Sequence, residues 1–103
     1  MISGKQRRFL KSKAQTMRST LQVGKNGLND QVLEQIRQLL NLKELVKLNI
    51  LQNSAVETSD IRDAVTDYDH RIQFVQAIGR TVILYKRAPK IENRKISLDV
   101  DKI

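Results

Sequence analysis

The sequence has no cysteine and no tryptophan, one proline, four glycines and four aromatic residues among 103 positions. Without cysteine there are no disulfides and no thiolate metal sites, a usage that fits the cytoplasm. No apolar run approaches the ~20 residues a membrane-spanning helix needs, so a membrane partner is not expected. The segment Met-Ile-Ser-Gly-Lys-Gln-Arg-Arg has charge with no apolar stretch after it, which excludes a secretory signal at this position.

Catalytic signatures are missing too. There is no G-x-x-x-x-G-K-[ST], no G-x-G-x-x-G and no H-E-x-x-H, and His70 is the single histidine. Asp67, Asp69 and His70 are close in sequence, but neighbouring positions on a helix point ~100° apart and converge poorly on a metal. His70 reads more simply as a partner for the dipole at a helix C-terminus. The sequence therefore reads as a non-enzyme with no cofactor. The aromatics are Phe9, Tyr68, Phe74 and Tyr85. The first two fall on apolar helix faces and the others on strands, so all four are expected in the core. No stacking platform for single-stranded nucleic acid is left.

What is present is positive charge. Nineteen Lys and Arg against eleven Asp and Glu give +8 at pH 7. An excess of this size at this length points to a polyanionic partner, most often nucleic acid. Residues 1–28 hold Lys5, Arg7, Arg8, Lys11, Lys13, Arg18 and Lys25 and no acid. Residues 54–70 have a net charge of −4, and residues 71–95 a net charge of +6. If the fold joins the two basic segments, the molecule has one positive face and a separate acidic patch.

Hydrophobic periodicity gives alternating helices and strands. Ser3 and Gln6 form a capping box that opens a helix to about Met17, with Phe9, Leu10, Ala14 and Met17 on one side. Arg7, Lys11 and Arg18 form a stripe beside that side, either a binding stripe or a solvated edge. Residues 20–23 read as a strand. A second helix opens at Asn29, with Leu28 and Leu33 as a hydrophobic staple, and ends between Asn41 and Glu44. A strand over 45–51 presents Val46, Leu48 and Ile50 on one face and Lys47 and Asn49 on the other. Thr58 or Ser59 is expected to cap a third helix. Runs at 72–78 and 81–86 are joined by Gly79-Arg80, a type II′ hairpin signal.

The expected fold is α/β: a single compact domain of order α-β-α-β-α-β-β, with a mixed four-stranded sheet packed with helices. Its folded unit covers residues 1–87. Residues 88–103 form a basic C-terminal tail, either mobile or a late edge strand through Ile96, Leu98 and Val100.

Gly24-Lys25-Asn26-Gly27 lies between a strand and a helix N-terminus. Glycines permit positive φ and close backbone approach, the first-turn amides point outward, and Lys25 adds a full charge, which is the chemistry of a phosphate grip. The loop resembles the G-x-x-G clamp of KH domains. The same residues also serve as a plain strand-to-helix connection. Arg80, with the Thr81 hydroxyl and Lys86 behind it, forms a second candidate basic tip.

Four stretches together resemble the YhbY-like family, whose unit is the CRM domain (chloroplast RNA splicing and ribosome maturation). They are Gly4-Lys5-Gln6-Arg7-Arg8-Phe9-Leu10, Val23-Gly24-Lys25-Asn26-Gly27-Leu28, Leu45-Val46-Lys47-Leu48 with Leu51-Gln52-Asn53, and Gln76-Ala77-Ile78-Gly79-Arg80-Thr81-Val82-Ile83-Leu84-Tyr85. The resemblance covers about residues 2–87, by pattern alone between Ser54 and Arg71. It implies a fold like the C-terminal domain of translation initiation factor three and a role in binding RNA. Bacterial members are associated with precursors of the large ribosomal subunit, and plant relatives with intron splicing. It implies RNA-facing roles for Lys5, Arg7, Arg8, the Gly24 to Gly27 loop, Arg80 and Lys47. The expected partner is structured RNA, ribosomal RNA or pre-large-subunit particles above all, bound by a monomer. Two alternatives stay open: an adaptor whose acidic segment meets a ribosomal protein, and a nonspecific basic DNA- or RNA-binding protein.

Overall fold

The computed structural model describes residues 2–103. Its elements are α1 (Gly4–Gln15), β1 (Leu21–Val23), α2 (Asp30–Lys43), β2 (Leu45–Ile50), α3 (Thr58–Tyr68), β3 (Gln73–Ile78), β4 (Thr81–Tyr85) and α4 (Ile96–Val100). The expected order is present, with α4 added at its end. The sheet runs β1-β2-β4-β3. β1 and β2 are parallel, whereas β2/β4 and β4/β3 are antiparallel. The Cα radius of gyration, 12.9 Å, matches the ~13 Å of one folded unit of this length.

Local chemistry sets the helix starts. The Ser3 Oγ accepts from the Gln6 amide at 3.1 Å, and the Ser3 amide donates to Gln6 Oε1 at 2.8 Å, so the expected capping box closes. α1 stops at Gln15, two residues before the expected end. Asn29 Oδ1 accepts from the Val32 amide at 2.9 Å, and Leu28 and Leu33 pack on the same core. α2 ends at Lys43, and its C-cap Glu44 takes φ 69, a left-handed conformation unusual for a residue other than glycine. α3 differs from expectation. Its N-cap is Glu57, not Thr58 or Ser59, and the Asp60 carboxylate reaches back to accept from the Glu57 amide at 2.8 Å. Gly79 has φ +57, and Arg80 has negative φ, as a II′ turn requires.

Two cores lie on opposite faces of the sheet. Val46, Leu48, Ile50, Val82 and Leu84 pack with Ile36 and Leu40 of α2 and Ile61 and Val65 of α3. Leu45, Ile83 and Tyr85 pack with Leu10 and Ala14 of α1 and Val100 of α4. Burying each of these large side chains contributes ~1.5–3 kcal/mol, and truncating one to alanine costs ~2–5 kcal/mol.

The tail corrects the sequence reading. Residues 91–93 form a 3-10 turn and residues 96–100 a helix, so no late edge strand forms. A loose tail is not observed either. The Glu44 carboxylate, fully buried, accepts from the amides of Ala88 (2.9 Å), Lys95 (2.8 Å) and Ser97 (3.1 Å). Gln6 Nε2 donates to the Val100 carbonyl at 3.0 Å. Burial pushes the Glu44 pKa up, but the amides of Ala88, Lys95 and Ser97 outweigh it and leave the group below its ordinary value.

The aromatics also divide. Tyr85 is buried, and Phe9 and Phe74 are half-buried against the two cores. Tyr68 is 39% exposed, and its hydroxyl donates to Glu34 Oε1 at 2.5 Å, so it is a surface residue and not a core one.

Candidate functional site

Strand directions place three connections at one end of the sheet. β1, β2 and β3 all finish there and β4 begins there, so the loops after β1 and β2 and the β3–β4 turn are neighbours. Hydrogen bonds join them. The Leu51 amide donates to the Val23 carbonyl at 2.9 Å, and the Ile50 amide to the Arg80 carbonyl at 2.8 Å.

The Gly24-Lys25-Asn26-Gly27 loop closes on itself through the Gly27 amide and the Gly24 carbonyl, 3.1 Å apart. Gly27 has φ +67, and a Cβ there would stand 3.4 Å from Val56 Cγ2. Gly24 has negative φ and open room, with Leu51 Cδ1 at 3.6 Å from a notional Cβ. The conformational demand therefore falls on the second glycine, not the first. Lys25 and Asn26 are exposed. The Asp30 and Gln31 amides that follow open α2, where backbone donors and the helix dipole favour an anion.

Arg80 organises this end. Its Nη2 donates to the carbonyls of Leu51 (3.1 Å) and Ser54 (2.9 Å), and its Nε to that of Ile50 (3.3 Å). The guanidinium thus holds the 51–54 loop beside the glycine loop while staying on the surface. Thr81 is half-buried, its Oγ1 3.5 Å from Asn49 Oδ1.

The other expected contact residues separate into free and engaged cations. Among the described residues, none of the seven basic side chains of segment 1–28 forms an ion pair. Lys5 and Arg8 are exposed on the outer side of α1, and Lys11 is half-buried beside the sheet. Arg7 is engaged: its Nη1 donates to the carbonyls of Phe74 (2.8 Å) and Val75 (2.5 Å), where a bulge in β3 disturbs the ladder. Lys47 is engaged as well, its Nζ donating to the carbonyls of Ala14 (3.2 Å) and Met17 (3.1 Å) and so closing the C-terminal end of α1.

Lys86 is a clear correction. It is 1% exposed, and its Nζ lies 2.8 Å from Asp69 Oδ2 and 2.5 Å from Asn41 Oδ1. A buried ammonium so held meets no external ligand. Burial pushes the Asp69 carboxyl up, but Lys86 and then Arg71 overcome this and hold it at about 2. Arg71 also pairs with Asp69, and Arg87 with Asp101. Three of the seven cations of segment 71–95 are thus paired within the fold, whereas among the described residues none of the seven in segment 1–28 is. Asp60, Asp63 and Asp67 are exposed on α3, across the sheet from α1, which is the separate acidic patch the sequence suggests.

Leu51-Gln52-Asn53 carries part of the resemblance in the sequence, but the sequence assigned the 51–54 loop no place at this end. Gln52 and Asn53 are exposed beside the Arg80 anchor. A short polar stretch directly after an apolar strand was the available signal.

Comparison with known proteins agrees with this architecture. The CRS1 / YhbY (CRM) domain family matches residues 2–86. A Bacillus subtilis protein named "Probable RNA-binding protein YqeI" is 43% identical over 98 residues, covering 95% of this chain and 99% of that one. A Haemophilus influenzae protein named "RNA-binding protein" is 33% identical, covering 94% of each chain. The solution structure of the hypothetical protein SAV1595 from Staphylococcus aureus superposes with a TM-score of 0.71 at 29% identity, over 92% of this chain and 98% of that one. The chain belongs to the CRS1 / YhbY (CRM) domain family.

Proposed function

We propose that this chain is a non-catalytic RNA-binding protein that grips the backbone of structured RNA. The observation that carries the reading is the sheet end itself. An exposed lysine sits between two glycines at a helix N-terminus, beside a loop fixed by Arg80, with no acid pairing the lysine among the described residues. Backbone amides and a fixed cation suit a phosphate and need no particular base. The names of its relatives support RNA as the polyanion. Structured ribosomal RNA in assembling large subunits is the target we favour, met in the cytoplasm by a monomer.

Lys25, Asn26, Gly24 and Gly27 form the grip, and Lys11, beside Ile78 and Thr81, extends its positive field. Lys5 and Arg8 are on the first half of α1, where Gln6 lies with Gln73 and Tyr85 at the other end of the sheet, and act on more distant backbone. Arg7, Lys47 and Arg80 serve by holding backbone in place, and Thr81 stands beside the grip.

Crosslinking in cells followed by RNA sequencing tests the target. Recovery of large-subunit ribosomal RNA at a defined segment is expected. Recovery spread over unrelated transcripts, or equal competition by duplex DNA of the same charge, overturns the reading and leaves a nonspecific basic protein.

A further inference from the structure

α1 ends at Gln15, and on the same side of the sheet Gln22 and Ile78 are exposed and Asn49 and Thr81 half-buried. A pocket of about 200 Å³ lies there, between the last turn of α1 and the strands. Its polar lining includes Lys11, Gln15, Gln76 and Thr81, and its apolar lining includes Ile78 and Ile83. No carboxylate lines it. Ile78 is 63% exposed at the rim of this pocket. Lys47, also in the lining, is engaged with the end of α1, but among the described residues the Gln76 carboxamide makes no hydrogen bond and Lys11 no ion pair, so a donor, an acceptor and a cation stand unused.

The pocket and the glycine loop are on one path. Gln22, Asn49, Thr81 and Ile78 are successive partners across the four strands. At ~4.8 Å per strand, the pocket is about 10–15 Å from the loop, within reach of one or two nucleotides.

We propose that this pocket receives an unpaired nucleotide of an RNA whose neighbouring phosphates lie on the Gly24 to Gly27 loop. The inference rests on the RNA-binding reading above and deepens it. Ile78 covers the face of the base above a floor that includes the buried Ile83, the Gln76 carboxamide meets its edge as both donor and acceptor, and Lys11 balances the adjoining phosphate. A perfect duplex cannot deliver a base to such a pocket, because its bases are stacked and paired. A bulge or loop can. The chain therefore distinguishes helices carrying an unpaired nucleotide from plain helices, without an aromatic platform.

The test is fluorescence anisotropy with two RNA hairpins of equal charge, one a plain stem and one with a single unpaired nucleotide in the stem. The native protein is expected to bind the second at least about fivefold tighter, what one net hydrogen bond to the captured base contributes. Gln76→Ala combined with Ile78→Ser is expected to bring that ratio below about twofold and to leave plain-stem affinity unchanged. Neither side chain is needed for folding, and a thermal melt checks this. Lys25→Glu is expected to weaken both RNAs by the same factor and keep the ratio. A native protein with no preference, or a double variant that retains it, overturns the pocket; the first of these is also what a protein partner in the pocket produces. If Lys25→Glu changes neither affinity, the phosphate grip fails, and the pocket proposal with it.

Discussion

Lys86 Nζ and Asp69 Oδ2 are 2.8 Å apart, and both side chains are almost wholly out of solvent. The pair ties the end of β4 to the C-terminal cap of α3, with Asn41 of α2 as a third partner. Removing one member leaves an uncompensated buried charge, which costs ~3–5 kcal/mol. Lys86→Ala is therefore expected to lower the urea midpoint strongly, with RNA affinity unchanged for the fraction that remains folded. Loss of affinity without loss of stability would return Lys86 to the interface.

The same pair sets an acid dependence. Asp69 is held at about 2, below its ordinary 3.8. A group whose pKa is lower folded than unfolded contributes its stability above the unfolded value and loses it as pH falls through the folded one. Stability should thus be level above about pH 5 and decline between pH 4 and 2. Urea unfolding of Asp69→Asn across that window should show a shallower decline than the native chain.

Arg7 is expected to matter for stability and not for binding. Its guanidinium serves two carbonyls at the β3 bulge, on an edge strand. A hydrogen bond from a charged donor contributes ~1.5–3 kcal/mol, and because one Nη1 is shared between the two carbonyls of a half-exposed site, Arg7→Ala should cost about as much as one such bond. Its RNA affinity at equal folded fraction should fall less than that of Arg8→Ala. Calorimetry and anisotropy on both variants decide this.

The two loop glycines should differ. Gly27 has φ +67, so Gly27→Ala carries strain of ~1–2 kcal/mol, whereas Gly24→Ala should stay within about 0.5 kcal/mol of the native chain. Equal melting temperatures for the two variants would contradict the assigned backbone.

Most of the fold was legible because local signals agreed. The Ser3 and Asn29 caps, the Leu28–Leu33 staple and the Gly79-Arg80 turn each specify geometry over four or five residues. The tail was not legible. Its anchor is Glu44, a left-handed helix cap whose partners are backbone amides of residues 88, 95 and 97, and amides carry no sequence signature. The site was half legible. Lys25 and its glycines follow from spacing and charge. The fates of Arg7, Lys47 and Lys86 do not, because a cation facing a carbonyl or a buried carboxylate reads in sequence like one facing solvent. Alternation marked Lys47 as lying opposite the Leu48 core, but not that the end of α1 would receive it.

Binding across a salt series measures how many cations act. With ~4–6 phosphates neutralised, log K should fall against log salt with a slope of about −3 to −5. A slope near zero would leave the free charge of segment 1–28 without a role.

The most direct measurement compares Lys25→Glu with Lys90→Glu. Both reverse one exposed lysine and change net charge equally, but Lys25 lies between the glycines and Lys90 lies before the 3-10 turn, far along the chain from the sheet end. With both variants shown to be folded, anisotropy on one structured RNA should give at least about a tenfold loss for Lys25→Glu and less than about threefold for Lys90→Glu. Equal losses would contradict a localised grip and reduce the interaction to diffuse attraction.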